Sequence, residues 1–114
     1  MTAHGNPIGK TTIAPEVLVS IAKLTTLGVE GVSRMAVGPR DVNTLFKRGL
    51  SEGVNITIEN YVVYVDLYVV VKRDMNVKEV SRNIQNQVAR SISEMVGMEV
   101  GHVNIHVEDI DYSA

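Results

Sequence analysis

The 114-residue sequence contains no cysteine and no tryptophan, and its only aromatic residues are four tyrosines and one phenylalanine. Without cysteine, the chain forms no disulfide, no thiolate-ligated zinc site and no thiol nucleophile. The same absence fits a reducing compartment. Because single-stranded nucleic acid is held largely by stacking on aromatic rings, the few aromatics argue against a broad base-binding surface.

The sequence also lacks an excess of positive charge and a long hydrophobic run. Its formal net charge is −2, which argues against a strongly basic nucleic-acid-binding module. The longest apolar run, Val62 to Val71, is interrupted by Asp66 and is far shorter than the roughly 20 residues of a spanning helix. Residues 1–9 contain no apolar segment typical of a secretory signal. We therefore expect a cytoplasmic protein with no direct membrane insertion.

The composition is that of one globular domain. Hydrophobic residues make up 45% of the chain and charged residues 21%, close to the averages of folded domains. The glycine, proline and asparagine content of residues 1–9 predicts a flexible N-terminal tail. We expect a single domain over residues 10–110 and a short C-terminal tail over residues 111–114.

The first half of the chain predicts one clear helix. Lys10 to Ala14 has the composition of a short strand. Pro15 then suits the first turn of a helix, and Gly28 is expected to end that helix in a left-handed conformation. Val29 to Val37 is interpreted as a strand or an extended loop. A short amphipathic helix capped by Asp41 is predicted next, with its apolar positions at Val42, Leu45 and Phe46.

The second half of the chain has stronger patterns. Apolar and polar residues alternate from Val54 to Glu59 and again in the longer run Tyr61 to Lys72, which predicts two strands. A two-residue turn at Glu59 and Asn60 would join them as a hairpin. Asn76 and Glu79 have capping-box spacing at the start of an amphipathic helix, and Gly97 is expected to cap its end. A last alternating strand contains Val103, Ile105 and Val107.

This order of elements predicts an α+β two-layer sandwich, with a mixed β-sheet of three to four strands and two main helices packed on one face. The last strand would run parallel to the strand Tyr61 to Lys72, because a helix connects the two. The opposite, outer face of the sheet would carry the polar members of the alternation. These are Asn55, Thr57, Glu59, Tyr64, Asp66, Tyr68, His102, Asn104 and His106.

The candidate binding residues lie on that outer face. Asp66 stands in mid-strand between Tyr64 and Tyr68, and a carboxylate there needs either water or a partner. Two interpretations stay open: a solvated sheet face, or an interaction surface anchored by the tyrosines. His102 and His106 belong to the same face. They stand about 13 Å apart along a strand, so one metal ion cannot join them, and we expect no metal and no cofactor.

A second candidate surface is a basic patch formed by Arg34, Arg40, Lys47 and Arg48 around the predicted short helix. Such a patch could contact an anionic membrane or an acidic partner. A solvated surface is the favoured interpretation, because the helix is too short for strong interfacial binding.

Three stretches of the sequence resemble the alkaline-shock-protein family of envelope stress response proteins, found mainly in Gram-positive bacteria. They run from Thr12 to Met35, from Gly53 to Val100 and from Val103 to Ile110, and they include the segments IAPEV, GVEGV, VDLYVVV and VNIHV. The resemblance covers the chain except for its tails and Ala36 to Glu52. It implies a small, non-enzymatic cytosolic protein of cell-envelope homeostasis, without catalytic residues, that works close to the membrane through other proteins.

The hypothesis that follows is a scaffold or adaptor that acts by protein–protein binding and self-association. Its expected partners are other proteins, with a membrane-anchored protein and further copies of the chain as candidates, and no nucleic acid. Two alternatives stay open. Gly28 to Gly31 fits the G-x-x-G of a KH nucleic-acid clamp, although Glu30 would repel phosphate. A small enzyme or ligand carrier would instead need a pocket between the helices and the sheet.

Overall fold

The fold is given by a computed structural model, which describes residues 8–9, 11–37 and 52–113. Its elements in chain order are α1 (Pro15–Leu27), β1 (Val32–Met35), β2 (Val54–Glu59), β3 (Val62–Lys72), α2 (Val77–Val96) and β4 (Glu99–Asp111). The predicted short helix over Asp41 to Phe46 lies outside the described residues. The strand predicted over Lys10 to Ala14 is wrong for its described part, since Thr11 to Ala14 form neither strand nor helix.

The sheet is organised around β3, which is its central strand. β4 runs parallel to β3 along one edge from Val62 to Lys72, as the connecting helix predicted. Along the other edge, β2 pairs antiparallel with the first part of β3 and β1 pairs antiparallel with its last part. The mixed sheet of an α+β two-layer sandwich is confirmed.

Tyr68 marks the point where β1 and β2 meet on the same edge of β3. Its N–H donates to the carbonyl of Gly53 at 2.9 Å, and its carbonyl accepts from the N–H of Ala36 at 2.8 Å. Gly53 has a φ of +82°, and a Cβ there would lie 2.3 Å from the Ala36 carbonyl oxygen. The junction between the two edge strands therefore requires glycine.

The hairpin turn between β2 and β3 lies one residue later than predicted. Glu59 pairs with Val62, so the two central residues are Asn60 and Tyr61, with φ values of 51° and 66°. Positive φ at both positions is the geometry of a tight hairpin turn that follows the twist of the strands. Tyr61, which the alternation placed on the apolar face of the strand, is instead a turn residue with 88% of its surface exposed.

Both helices pack on one face of the sheet, as predicted. The odd-numbered residues of β3 from Val63 to Val71 are fully buried and share one core with both helices. Helical spacing predicts an apolar stripe on α2 that begins at Val77 and ends at Met95. Its middle is buried, at Val80, Ile84, Val88 and Ile92, whereas Val77 and Met95 at its two ends are 37% and 69% exposed. The core also contains Thr26, whose Oγ1 donates to the Ala22 carbonyl at 2.7 Å, so this buried hydroxyl is satisfied.

The helix ends follow their capping residues with one exception. Asn76 accepts a hydrogen bond from the Glu79 N–H, and Gly97 ends α2 with a φ of 72°. Gly28 was expected to adopt the same left-handed conformation, but its φ is −85°. The chain turns instead at Gly31, whose φ is 99°.

Candidate functional site: the outer face of the sheet

The strand register brings the predicted outer-face residues together. Tyr64, Asp66 and Tyr68 occupy alternate positions of β3, and β4 sets His102, Asn104 and His106 directly opposite them. This alignment depends on a β-bulge, because the register shifts between the pair Val63–Val100 and the pair Tyr64–His102. The bulge residue, Gly101, keeps the polar side chains of the two strands in phase.

Each tyrosine of this face has its ring in tilted contact with a histidine ring of the neighbouring strand. The ring centroids of Tyr64 and His102 lie 4.9 Å apart at 56°, and those of Tyr68 and His106 lie 4.5 Å apart at 32°. Tilted contacts are favourable because the edge of an aromatic ring is electropositive and its face is electronegative. The two Tyr–His pairs lie on either side of Asp66 along the strands, so the Asp66 carboxylate lies between two aromatic contacts.

Asp66 has partners on the neighbouring strand β4. Its Oδ1 lies 3.0 Å from His106 Nε2 and accepts a hydrogen bond from Asn104 Nδ2 at 3.3 Å. The Asp66 side chain is 26% exposed and that of His106 is 41% exposed. The Asp66 carboxylate is therefore partly solvated and hydrogen-bonded to side chains of β4. These two features explain why a charged group is tolerated in the middle of β3. Burial, together with the charges of Asp66 and Glu108, raises the pKa of the Tyr68 hydroxyl.

A shallow recess opens on this face beside Asp66. It has a volume of about 440 Å³ and is lined by Thr57, Glu59, Tyr64, Asp66 and His102. We refer to these five residues as the outer-face recess. Both of its carboxylates, its tyrosine and its histidine are members of the polar face predicted from the alternation.

Gly101 is a site residue that the sequence reasoning missed. A Cβ at this position would lie 2.3 Å from Tyr64 Cε1, so the tyrosine ring occupies the space that any larger residue would fill. The available signal was a glycine just before an alternating strand, which is typical of a bulge or a close approach.

The histidine and acidic side chains of the outer face do not form an assembled metal centre. Among residues 8–9, 11–37 and 52–113, no group of three or more histidine or acidic side chains is placed to hold a metal ion. The nearest approach to one is the His106–Asp66 pair, and two ligands are fewer than a structural zinc site uses.

The predicted basic patch is described only at Arg34, since Arg40, Lys47 and Arg48 lie outside the described residues. Arg34 belongs to β1 and its Nη1 lies 3.3 Å from Oδ2 of Asp111 on β4. Ser33 Oγ donates to the same carboxylate oxygen. The Asp111 carboxylate therefore ties β4 to β1 across the end of β3, and β4 reaches one residue into the predicted C-terminal tail.

Asp111 is held in its ionised form by this arrangement. Hydrogen bonds from the Ser113 hydroxyl, the Ser33 hydroxyl and the Ser113 N–H, in that order, hold the pKa of Asp111 far below its usual range, with a further contribution from Arg34. Hydrogen bonds to a carboxylate favour its charged form. This cluster stabilises the end of the sheet and lies away from the outer-face recess.

Two residues of the G-x-x-G segment, Val29 and Gly31, are packed into the protein, whereas Gly28 and Glu30 are exposed. Val29 is 4% exposed, and a Cβ at Gly31 would lie 2.7 Å from Val80 Cγ2 and 2.8 Å from Met75 Cε. A KH-type clamp presents its loop backbone to phosphates, whereas this turn is directed at α2. This packing accounts for Val29 and for the requirement of glycine at Gly31 without a nucleic acid.

The helical side of the molecule carries an open apolar groove of about 420 Å³. It is lined by Glu16, Val17, Ser20, Ile21, Leu24, Thr25 and Met95. Leu24 and Met95 are 68% and 69% exposed. No described helix is long and apolar enough to cross a membrane.

Comparison with known proteins gives a match over nearly the whole chain. Residues 3–112 match the model of the alkaline shock protein 23 family, described as having a cell envelope-related function. Uncharacterized protein Spy1535 of Streptococcus pyogenes is 36% identical over 104 residues, which are 90% of this chain and 80% of that protein. Uncharacterized protein YloU of Bacillus subtilis is 26% identical over 90% of this chain and 88% of its own length.

Solved structures of the MamM CTD have a similar fold. One of them superposes with a TM-score of 0.54 at 10% identity and covers 84% of this chain and 99% of its own. A zinc form of a MamM CTD variant gives a TM-score of 0.54 at 9% identity, with 88% and 90% covered. At such identities the likeness concerns the arrangement of helices and strands alone.

Proposed function

Because this chain belongs to the alkaline shock protein 23 family, whose described function is cell envelope-related, we propose that it is a non-enzymatic protein-binding module of cell-envelope homeostasis. It acts as a cytoplasmic scaffold or adaptor in the envelope stress response. Its partners are other proteins, among them a membrane-anchored one, and further copies of the chain. The outer face of the sheet is the surface that binds them.

The observation that carries this proposal is the construction of the outer face. Tyrosine is enriched where proteins meet, and here the rings of Tyr64 and Tyr68 each lie against a histidine ring of β4. Side chains that are fixed before binding lose less conformational entropy when a partner docks. The face thus combines half-buried aromatic groups with hydrogen-bonding groups that are already in place.

The same geometry supports binding rather than catalysis. The His106–Asp66 pair lies on an open sheet face, beside Tyr68 and Asn104. Enzyme sites gain from excluding water around the reacting groups, and a strand face that is open to solvent does little of this. The helices and the inner side of the sheet, where an enclosed pocket would lie, share a continuous core of buried side chains.

The test is affinity capture from membrane and cytosolic fractions of the native organism, followed by mass spectrometry. We expect a specific set of captured proteins to be lost when Tyr64 and Tyr68 are both replaced by serine. Tyr112→Ser is the matched control, because Tyr112 is a tyrosine with 71% exposure at the end of the chain. Sedimentation velocity of the same variants measures self-association. Unchanged capture and unchanged assembly in the double variant would refute the outer face as the binding surface.

A further inference from the structure

We propose that the outer-face recess binds an extended segment of a partner protein that carries two lysine or arginine side chains four residues apart. This inference rests on the proposed function and names the chemistry of the partner. The two basic side chains would pair with Glu59 and Asp66, and the backbone between them would cross Tyr64.

The three strands around the recess, β2, β3 and β4, contain many more acidic than basic residues. β2 and β4 contain no lysine or arginine, and β3 contains one only at its last residue, Lys72. The same strands carry six acidic residues: Glu59, Asp66, Glu99, Glu108, Asp109 and Asp111, of which Asp111 is paired with Arg34 away from the recess. A surface with this balance attracts a basic partner and repels nucleic acid and anionic lipid.

Glu59 is available for such a contact. It is exposed at the end of β2, and although its backbone pairs with Val62, its side chain forms no hydrogen bond or ion pair with any described residue. Asp66 receives both of its hydrogen bonds on Oδ1, which leaves Oδ2 without a partner among the described residues. Each carboxylate can therefore accept a charge-assisted hydrogen bond from a guanidinium or an ammonium group.

The spacing of the two carboxylates selects an extended ligand rather than a single ion. Glu59 pairs with Val62, and Asp66 lies four residues further along β3. Along the strand direction this corresponds to about 13 Å, with Glu59 displaced to the side by one strand spacing of about 5 Å, and the separation is beyond what one metal ion or one ammonium group can bridge. The same distance separates side chains i and i+4 on one face of an extended peptide, so the two spacings match.

Tyr64 lies between the two carboxylates and completes the recess. Its ring is fixed from one side by His102 at 4.9 Å between centroids, and it fits closely over Gly101. An aromatic face beside carboxylates favours the aliphatic stem and the charged head of arginine or lysine. The recess thus offers two anionic ends and an aromatic centre.

The experiment is a titration of ¹⁵N-labelled protein with the capped peptide Gly-Arg-Thr-Val-Thr-Arg-Gly, followed by NMR. We expect saturable shifts of the amides of Thr57, Glu59, Tyr64, Asp66 and His102, reduced by added salt. Two control peptides are matched to it. One replaces both arginines by the neutral isostere citrulline, and the other, Gly-Arg-Arg-Thr-Val-Thr-Gly, has the same composition with adjacent arginines.

Glu59→Gln is the decisive variant, because Glu59 is exposed and its loss leaves the core untouched. We expect it to weaken peptide binding about two- to fivefold, the range for an exposed ion pair. Glu30→Gln changes the net charge equally at an exposed position in the α1–β1 connection and should leave binding unchanged.

Several results would overturn the inference: no saturable shifts, equal shifts with the citrulline peptide, equal binding of the adjacent-arginine peptide, or no effect of Glu59→Gln. Shifts of the same amides on raising protein concentration without peptide would also overturn it, since a second copy would then occupy the recess. A failure of peptide binding can be distinguished from a failure of the proposed function. If the tyrosine variants lose their captured partners while the peptide fails to bind, the face binds proteins of another chemistry.

Discussion

Nε2 of His106 lies 3.0 Å from Oδ1 of Asp66, although the two residues are 40 positions apart and reach each other only because β4 runs parallel to β3. The contact joins side chains of β3 and β4, which are connected in sequence through α2. It holds the Asp66 carboxylate between Tyr64 and Tyr68, on the face that we propose as the binding surface. Its strength can be measured separately from the rest of the face.

We expect the Asp66–His106 pair to contribute little to stability. Both side chains are partly exposed, and solvent screening limits such pairs to about 1 kcal/mol or less. A double-mutant cycle with Asp66→Asn and His106→Gln, measured by urea denaturation, gives the coupling free energy directly. A coupling well above 1 kcal/mol would show that the pair holds the sheet together instead of orienting a binding surface.

Gly101→Ala should disturb the outer face through Tyr64. The added methyl group would lie 2.3 Å from Tyr64 Cε1, so the ring must leave His102 or the strand must shift, at a cost of about 1–3 kcal/mol. The measurements are the free energy of unfolding and the nuclear Overhauser contacts between the two rings. The control is the same substitution in a Tyr64→Ala protein, where Gly101→Ala should change the free energy of unfolding very little. An equal cost in both backgrounds would place the strain in the backbone of β4.

Gly31→Ala should be more destabilising than Gly97→Ala, although both glycines have positive φ. The left-handed conformation costs a residue with a side chain about 1–2 kcal/mol at either position. At Gly31 the new Cβ would also meet Val80 and Met75 within 2.8 Å, whereas at Gly97 it would meet nothing within 4 Å. Urea denaturation of the two variants compares them. Equal losses would mean that the contact with α2 relaxes freely.

Ile84→Ala should cost about 2–5 kcal/mol, because it opens a cavity in a fully packed interior. Ile84 is 0% exposed on the buried face of α2. Met95→Ala is the control on the same helix, and because Met95 is 69% exposed its effect should stay within about 0.5 kcal/mol. Denaturant titration measures both. A large loss from Met95→Ala would indicate that a second molecule already covers the helical groove.

Asp111 should make the protein sensitive to acid. Its pKa is held far below the usual range by hydrogen bonds from Ser113 and Ser33, whereas the unfolded carboxyl titrates near pH 3.9. Below about pH 5 the unfolded state therefore binds more protons, and the stabilisation by Asp111 falls as the pH falls. It is fully present at neutral pH.

The measurement is the urea midpoint between pH 7 and pH 2.5. Asp111→Asn should lower the midpoint at pH 7 and flatten its decline toward acid, so that the two curves converge. Asp109→Asn, at a neighbouring exposed carboxylate of β4, should run parallel to the unmodified protein. Parallel curves for Asp111→Asn would contradict the role of the Ser33–Asp111–Ser113 cluster.

Sequence patterns predicted individual strands and helix ends correctly where a single physical rule determines the local structure. Alternation along Tyr61 to Lys72 predicted the buried odd-numbered side chains of β3 from Val63 to Val71, because successive residues of a strand point to opposite faces; Val70, assigned to the other face, is buried as well. The same rule placed Tyr64, Asp66 and Tyr68 on one face, and Asn76 and Gly97 marked the ends of α2. The hairpin turn was misplaced by one residue because Tyr61 was counted with the strand, while the turn required positive φ at Asn60 and Tyr61.

The sequence by itself determined the layers of this protein, the side chains of its core and the polar identity of its outer face, since periodicity depends only on neighbours along the chain. The tertiary structure alone decided that His106 meets Asp66, that Tyr64 lies over Gly101, and that Ser33 and Arg34 hold Asp111 across β3. These contacts depend on strand register and on the β-bulge at Gly101, which are set by pairing between distant segments. The surface proposed to bind partners is made from three strands, so its composition follows only from that pairing.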